Sequence, residues 1–190
     1  MHKIVRAVAL IIISGFSAAH AQERGYAGLA FGPVKAGVAN SAGERIEHDD
    51  DAIAVKVYAG YVLNDYFALE GGYAGTTGKL RFDKERFGVA GDPRGEMSAV
   101  YAALRGNIRV SESVDLFAKL GVARNRFELA GAGARDVDIS AVKPMAGAGA
   151  AWRISDRVAL TAELEHYGKV RQGNRRFVQN RAQLGLRLGF

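Results

Sequence analysis

Apolar and polar residues alternate with a period of two through eight segments of the chain, the spacing of side chains on opposite faces of a β-strand. The last segment shows it best. From Arg181 to Phe190, Ala182, Leu184, Leu186, Leu188 and Phe190 share one face, and Arg181, Gln183, Gly185, Arg187 and Gly189 share the other. This segment is expected to start near Phe177. The first segment, about Arg24 to Phe31, sets Ala27, Leu29 and Phe31 against Tyr26, Gly28 and Ala30, so both of its faces are fairly apolar. The second, Ala52 to Val62, sets Ile53, Val55, Val57, Ala59 and Tyr61 against Lys56, Tyr58 and Gly60. The third, Tyr66 to Thr76, sets Phe67, Leu69 and Tyr73 against Glu70, Gly72 and Ala74. The fourth, Glu96 to Arg109, sets Val100, Ala102, Leu104 and Ile108 against Tyr101, Arg105 and Asn107. In the fifth, Val114 to Phe127, Val114, Leu116, Ala118, Leu120 and Val122 oppose Asp115, Lys119 and Gly121. In the sixth, Val142 to Ile154, Ala146, Ala148, Ala150 and Trp152 oppose Lys143, Gly147, Gly149 and Arg153. In the seventh, Arg157 to Gly168, Val158, Leu160, Ala162 and Leu164 oppose Thr161, Glu163 and Glu165.

The connections alternate in length. Leu63-Asn64-Asp65, Val110 to Ser113 and Ser155-Asp156 are tight and rich in turn formers. Gly32 to Asp51, Thr77 to Gly95, Ala130 to Ser140 and Lys169 to Arg176 are expected to be long loops. Short turns at one rim and long loops at the other are the layout of an outer-membrane barrel. Eight strands also return the chain to the rim where it began. Every segment but the first, given as Arg24 to Phe31, is long enough for a tilted strand to cross hydrocarbon, which takes about 9–11 residues.

Periodicity does not say which face meets lipid; charge does. Lys56, Glu70, Arg105, Lys119, Arg153, Glu163, Glu165, Arg181 and Arg187 share the polar faces of seven strands, and the opposite faces carry almost no charge at mid-strand. A water-soluble sheet could send those charges outward. A membrane barrel turns them into the lumen, because Lys or Arg facing lipid at the midplane costs about 2–4 kcal/mol. The fold class expected is all-β: an eight-stranded antiparallel up-and-down transmembrane β-barrel.

Composition narrows the picture further. Mean hydropathy is −0.05, too low for a bundle of transmembrane helices. One uninterrupted apolar run exists, Ala7 to Ile13, preceded by Lys3 and Arg6 and followed by Ala19-His20-Ala21. It reads as a secretory signal over residues 1–21, cleaved after Ala21, with the barrel over residues 22–190. Cleavage leaves 24 basic and 20 acidic residues, a net charge of +4 that gives no argument for nucleic acid. Cysteine is absent, so no disulfide holds the mature domain. The 24 glycines against 3 prolines serve turns and close packing.

The run Leu63-Asn64-Asp65-Tyr66-Phe67-Ala68-Leu69-Glu70-Gly71-Gly72-Tyr73 resembles the first periplasmic hairpin of the OmpA-like transmembrane domain, the small eight-stranded outer-membrane barrel family. Ile154-Ser155-Asp156-Arg157-Val158-Ala159-Leu160 resembles the turn before that family's seventh strand, and the closing strand ends as the family's does. The resemblance covers about Arg24 to Phe190. It implies the outer membrane of a Gram-negative bacterium and contact with its lipids. It also implies that Phe190 serves as the signal read by the barrel assembly machinery. No peptidoglycan-binding domain is expected after the barrel, so wall anchoring through one is not expected.

An eight-stranded interior is just wide enough for side chains to fill. Lys56, Glu70, Arg105, Lys119, Glu163, Glu165, Arg181 and Arg187 are therefore expected to form a packed charge network with a structural role. The Gly-rich sixth segment leaves room for an alternative, a narrow pore for small solutes. In the loops, Glu44 to Asp51 is acidic and its spacing fits no defined cation-binding motif. Lys169, Arg171, Arg175 and Arg176 make the last loop basic, a candidate contact for lipopolysaccharide phosphates. His166 raises a third reading, a lipid A-modifying enzyme, since a rim histidine can act as a general base. No serine follows it two positions on, so the chain is not expected to be an enzyme. Tyr61, Tyr73 and Trp152 read as an aromatic girdle. No cofactor, metal or catalytic residue is expected. The function expected is membrane integrity, or surface and lipopolysaccharide interaction through the long loops.

Overall fold

The computed structural model describes residues 24–39, 45–47, 53–77, 80–81, 94–130, 137–172 and 175–190. Eight long strands make the wall: β1 Gly25–Ala39, β3 Ile53–Val62, β4 Phe67–Thr77, β6 Arg94–Arg109, β7 Val114–Ala130, β8 Val137–Arg153, β9 Val158–Gln172 and β10 Arg175–Gly189. Two short strands sit at the loop rim. β2 (Arg45–Glu47) pairs with the far end of β1, and β5 (Leu80–Arg81) pairs with β6. Every neighbouring pair is antiparallel, in chain order, and β10 pairs back onto β1 over Tyr26↔Gly189 to Ala39↔Arg176. Gly25 N–H donates to the Phe190 carbonyl at 2.9 Å and Phe190 N–H to the Gly25 carbonyl at 2.8 Å, so the two ends of the wall clasp each other. Closure leaves no open sheet edge at membrane depth, where an unpaired backbone group costs several kcal/mol.

Burial alternates as the sequence pattern requires, with the polarity of a soluble protein reversed. Lys56, Arg105, Lys119, Arg181, Glu70, Glu163 and Glu165 are buried, while Leu120 is 69% exposed and Leu184 61%. The first segment, ambiguous from sequence, resolves with Tyr26 and Ala30 inward and Leu29 and Phe31 outward. On β7 the outward row runs Leu116, Ala118, Leu120 and Val122, then turns polar at Arg124 and Arg126. Neighbouring strands change in the same way, at Ser140 on β8, His166 on β9 and Asn180 on β10. These polar residues mark the upper edge of the lipid-facing belt. Tyr61 and Trp152 lie outward, one residue from the short-turn ends of β3 and β8, as girdle residues do; Tyr73 lies outward within β4, well above its short turn.

Several strands run further than the alternation predicts. Gly32–Ala39 belongs to β1, not to a loop, and β8 begins at Val137, five residues before the expected start at Val142. The expected loop Lys169 to Arg176 is mostly strand: β9 runs to Gln172 and β10 restarts at Arg175, leaving residues 173–174 between them. The cause is physical. Alternation is imposed by lipid on one side and lumen on the other, and it stops where water replaces both. Backbone pairing continues past that level. Of the acidic stretch Glu44 to Asp51, Arg45–Glu47 forms β2; its other residues, like the signal segment 1–21, lie outside the described residues.

The ladder between β8 and β9 is the shortest joined by a short turn. It ends at Ala146↔His166, although β8 stays paired to β7 up to Val137 and β9 to β10 up to Gln172. Just past that point Tyr167 and Gly168 together face Gln179, a β-bulge, and Gly168 takes φ +79°. The Tyr167 carbonyl, released from the ladder, accepts from Asn125 Nδ2 at 2.8 Å. A Cβ on Gly168 would lie 2.6 Å from Lys143 Cβ and 2.9 Å from the Pro144 carbonyl. Gly168→Ala is expected to lower unfolding free energy by about 1–3 kcal/mol, from the left-handed φ and the clash together, as read by urea titration of the barrel in micelles. An unchanged midpoint would show that the bulge is not under that constraint.

Candidate functional site

The middle of the lumen is filled by charges delivered from five strands. Lys56 (β3), Glu70 (β4), Arg105 (β6), Lys119 (β7), and Glu163 and Glu165 (β9) all project inward because they sit in phase on their strands. Lys119 Nζ is the hub: it donates to Glu70 Oε1 at 2.6 Å, Glu163 Oε2 at 2.7 Å and Glu165 Oε1 at 3.4 Å. Lys56 Nζ pairs with Glu165 Oε1 at 3.0 Å and also with Glu163 Oε1. Arg105 Nη1 reaches Glu70 Oε2 at 3.3 Å. In these ion pairs three cations meet three carboxylates. Balance is needed here, because each unpaired buried ion costs several kcal/mol.

Tyrosines complete the plug. Tyr101 donates its hydroxyl to Glu70 Oε1 at 2.8 Å, Tyr26 to Glu70 Oε2 at 3.0 Å and Tyr167 to Glu165 Oε2 at 2.7 Å. The Lys56 ammonium sits 4.8 Å from the centroid of the Tyr58 ring, and the Arg105 guanidinium 3.7 Å from that of Phe117. Glycines make room for the rings. Tyr26 opposes Gly60 and Tyr58 opposes Gly28 across the β1–β3 ladder, and each ring occupies the volume that a Cβ on its glycine partner would need. Beside the glycines of the sixth segment, side chains of neighbouring strands take up the space. Gly149 is covered by Phe117, whose Cζ lies 2.6 Å from a Cβ built there, and Gly147 by Glu165, whose Cγ lies 3.1 Å away.

The remaining predicted lumen arginines flank this cluster. Arg181, buried opposite Glu165 in the β9–β10 register, stacks 5.0 Å from the centroid of Tyr167. Arg187 stacks 5.5 Å from Tyr26, nearer the short-turn mouth. Arg153 is half-buried at that mouth, 3.8 Å from Asp115, and donates to the Glu112 carbonyl. Lys169, Arg171, Arg175 and Arg176 fall on the far ends of β9 and β10, paired as Arg175↔Gln172, Arg176↔Arg171 and Val178↔Lys169; their side chains lie outside the described residues. His166 faces outward and its Nδ1 meets Asn180 Oδ1 at 2.7 Å; among the described residues no hydroxyl bonds to its ring.

The alternation already places Tyr58 and Tyr101 on the lumen faces, but sequence reasoning does not name them, Tyr26, Tyr167 or Phe117 as members of the charge cluster, nor Arg124 as a residue of the outer edge. The signal for the tyrosines was their phase: Tyr58 stands two positions from Lys56, Tyr167 two from Glu165. Arg124 shows itself as the first outward charge after an apolar row, with its Nε on Ser140 Oγ at 3.0 Å.

A closed antiparallel cylinder with a lipid-facing apolar belt and an ionic interior defines a transmembrane β-barrel. The model of the outer membrane protein β-barrel domain family matches residues 7–190, and the chain belongs to that family, whose members reside in the outer membrane of Gram-negative bacteria. None of the curated proteins matches the chain. Among solved structures, Neisserial surface protein A superposes with a TM-score of 0.60 at 18% identity, covering 87% of this chain and 97% of that one. The N-terminal barrel of OprF from Pseudomonas aeruginosa gives 0.58 at 14% identity, over 88% and 98%. Ail from Yersinia pestis gives 0.55 at 16% identity, over 87% and 99%. At these identities the likeness is one of fold.

Proposed function

We propose that this protein is a non-conducting, non-enzymatic barrel that acts at its outer face, contributing to membrane integrity and binding lipopolysaccharide at the loop rim. The observation that carries this is the ion-paired plug at mid-lumen, which turns the interior to structural use and leaves the outer surface for function. The polar edge above the lipid belt supplies the contact. Arg124 projects outward just past the apolar row of β7, and a guanidinium there matches a lipid phosphate. The basic ends of β9 and β10, with Lys169, Arg171, Arg175 and Arg176, extend the same charge upward. Ail, a barrel of this fold, has been solved with the heparin analogue sucrose octasulfate, a polyanion. Phe190, clasped to Gly25 at the seam, fits the role of an assembly signal. An outward His166 engaged by Asn180 supports the non-enzymatic reading.

Two measurements test the proposal. Planar bilayers are expected to stay silent; steady, reproducible openings would replace it with the narrow pore. Lipopolysaccharide added to the micelle-bound barrel is expected to raise its unfolding temperature, and Arg124→Gln to weaken that apparent affinity about two- to fivefold, the range for one exposed ion pair. No rise with the wild type would remove the lipopolysaccharide reading.

A further inference from the structure

Below the plug, the barrel opens at its short-turn mouth into a cavity of about 580 Å³. Its lining is strongly basic: five arginines against three aspartates. Two of the arginines are not used up by the fold. Arg105, only 1% exposed, spends Nε on Asn107 Oδ1 at 2.8 Å and Nη1 on Glu70, but its buried Nη2 has no hydrogen-bond partner. Arg187 lies over the Tyr26 ring, and among the described residues no carboxylate pairs with its guanidinium. Arg105 stands over the same ring, 5.7 Å from its centroid, so Tyr26 holds both cations at the cavity floor. The nearby carboxylate is taken: Asp115 is shared between Arg109 at 3.6 Å and Arg153 at 3.8 Å.

A buried guanidinium nitrogen without an acceptor is costly, and two forks held around one ring form a ready receptor for an oxyanion. A single carboxylate would bring one charge and serve one fork. A phosphate dianion brings two charges and enough oxygens for Arg105 Nη2, Arg187 and the Asn107 amide together. The cavity exceeds a bare phosphate and lies within the usual range for small-molecule sites, roughly 300–1,000 Å³. We propose that the short-turn mouth is a binding site for a small phosphomonoester, with Arg105 and Arg187 on the phosphate and the polar rim around its organic body. The source is either a soluble periplasmic solute or a phosphomonoester lipid headgroup of the inner leaflet, and the shared chemistry is the terminal phosphate.

Calorimetry of the folded full-length barrel in a phosphate-free, non-lipid detergent tests this, with glycerol 3-phosphate as probe. Binding is expected for glycerol 3-phosphate and none for glycerol. Arg187→Gln is expected to weaken it about tenfold or more, the loss of one charge-assisted fork. Arg126→Gln, on β7 near the opposite rim and outside the cavity lining, is expected to stay within about twofold. Retained heat-modifiable migration on gels certifies that each variant is folded. If Arg187→Gln does not fold, the competition of inorganic phosphate against succinate on the wild type decides: phosphate displacing the probe and succinate failing supports the site. A second arm uses vesicles with or without phosphatidic acid. Protection of the mouth from the probe only when that lipid is present assigns the lipid source, and no difference assigns the solute. Absence of binding at millimolar probe, equal displacement by succinate, or a folded Arg187→Gln variant that binds like the wild type overturns the proposal.

Discussion

Glu70→Ala is expected to destabilise the barrel by about 3–5 kcal/mol, the cost of breaking a buried ion pair from one side. Four donors converge on that carboxylate: the Tyr26 and Tyr101 hydroxyls, Arg105 Nη1 and Lys119 Nζ. Removing it leaves three cations facing two carboxylates in a region with little water. Lys119 keeps Glu163 and Glu165, but Arg105 loses its only carboxylate among the described residues. Urea unfolding in micelles, followed by the fluorescence of Trp152, the single tryptophan, reads the loss directly. A shift below about 1 kcal/mol would mean that the cluster is hydrated and worth no more than surface ion pairs are.

One residue along the chain the expectation inverts. Leu120 follows Lys119 on β7 and points to the other side, between Leu104 and Ala146 of the flanking strands. Leu120→Arg is expected to cost about 2–4 kcal/mol, because the guanidinium would have to leave water for hydrocarbon near mid-strand. The same substitution on a water-facing strand would shift stability by about 0.5 kcal/mol or less. Refolding yield and urea midpoint in lipid vesicles measure the difference. A neutral result would put water, not lipid, on this face.

How much of this could be read beforehand follows from what enforces each feature. Strand number, order and facing were legible, because lipid on one side and lumen on the other impose a strict two-residue rhythm: Lys119 in, Leu120 out, Gly121 in. The strand ends were not legible. Above Val122 on β7 that rhythm gives way to Arg124, Asn125 and Arg126, polar on both sides, yet the ladder to β6 runs on to Ala130. The lumen charges were readable one by one, but their partners were not. Nothing in the sequence says that Lys119 rather than Arg181 is the hub, since that depends on how strand stagger brings β4, β7 and β9 to one level. Phase put Tyr58 and Tyr101 on the lumen face with Lys56 and Arg105, but phase does not say which partner each meets, as the Tyr101 hydroxyl meets Glu70.

The early end of the β8–β9 ladder gives the cylinder a preferred line of failure. Around β7 the wall is stitched nearly to the loop rim, with Arg94↔Ala130 and Leu129↔Val137 still in register on either side. Past Ala146↔His166 the ladder to β8 stops, and the Asn125 side chain bonds the Tyr167 carbonyl while β9 stays paired to β10 alone. The barrel is therefore expected to come apart as a jacket does, unzipping downward from the bulge at Gly168, not bursting around its whole circumference.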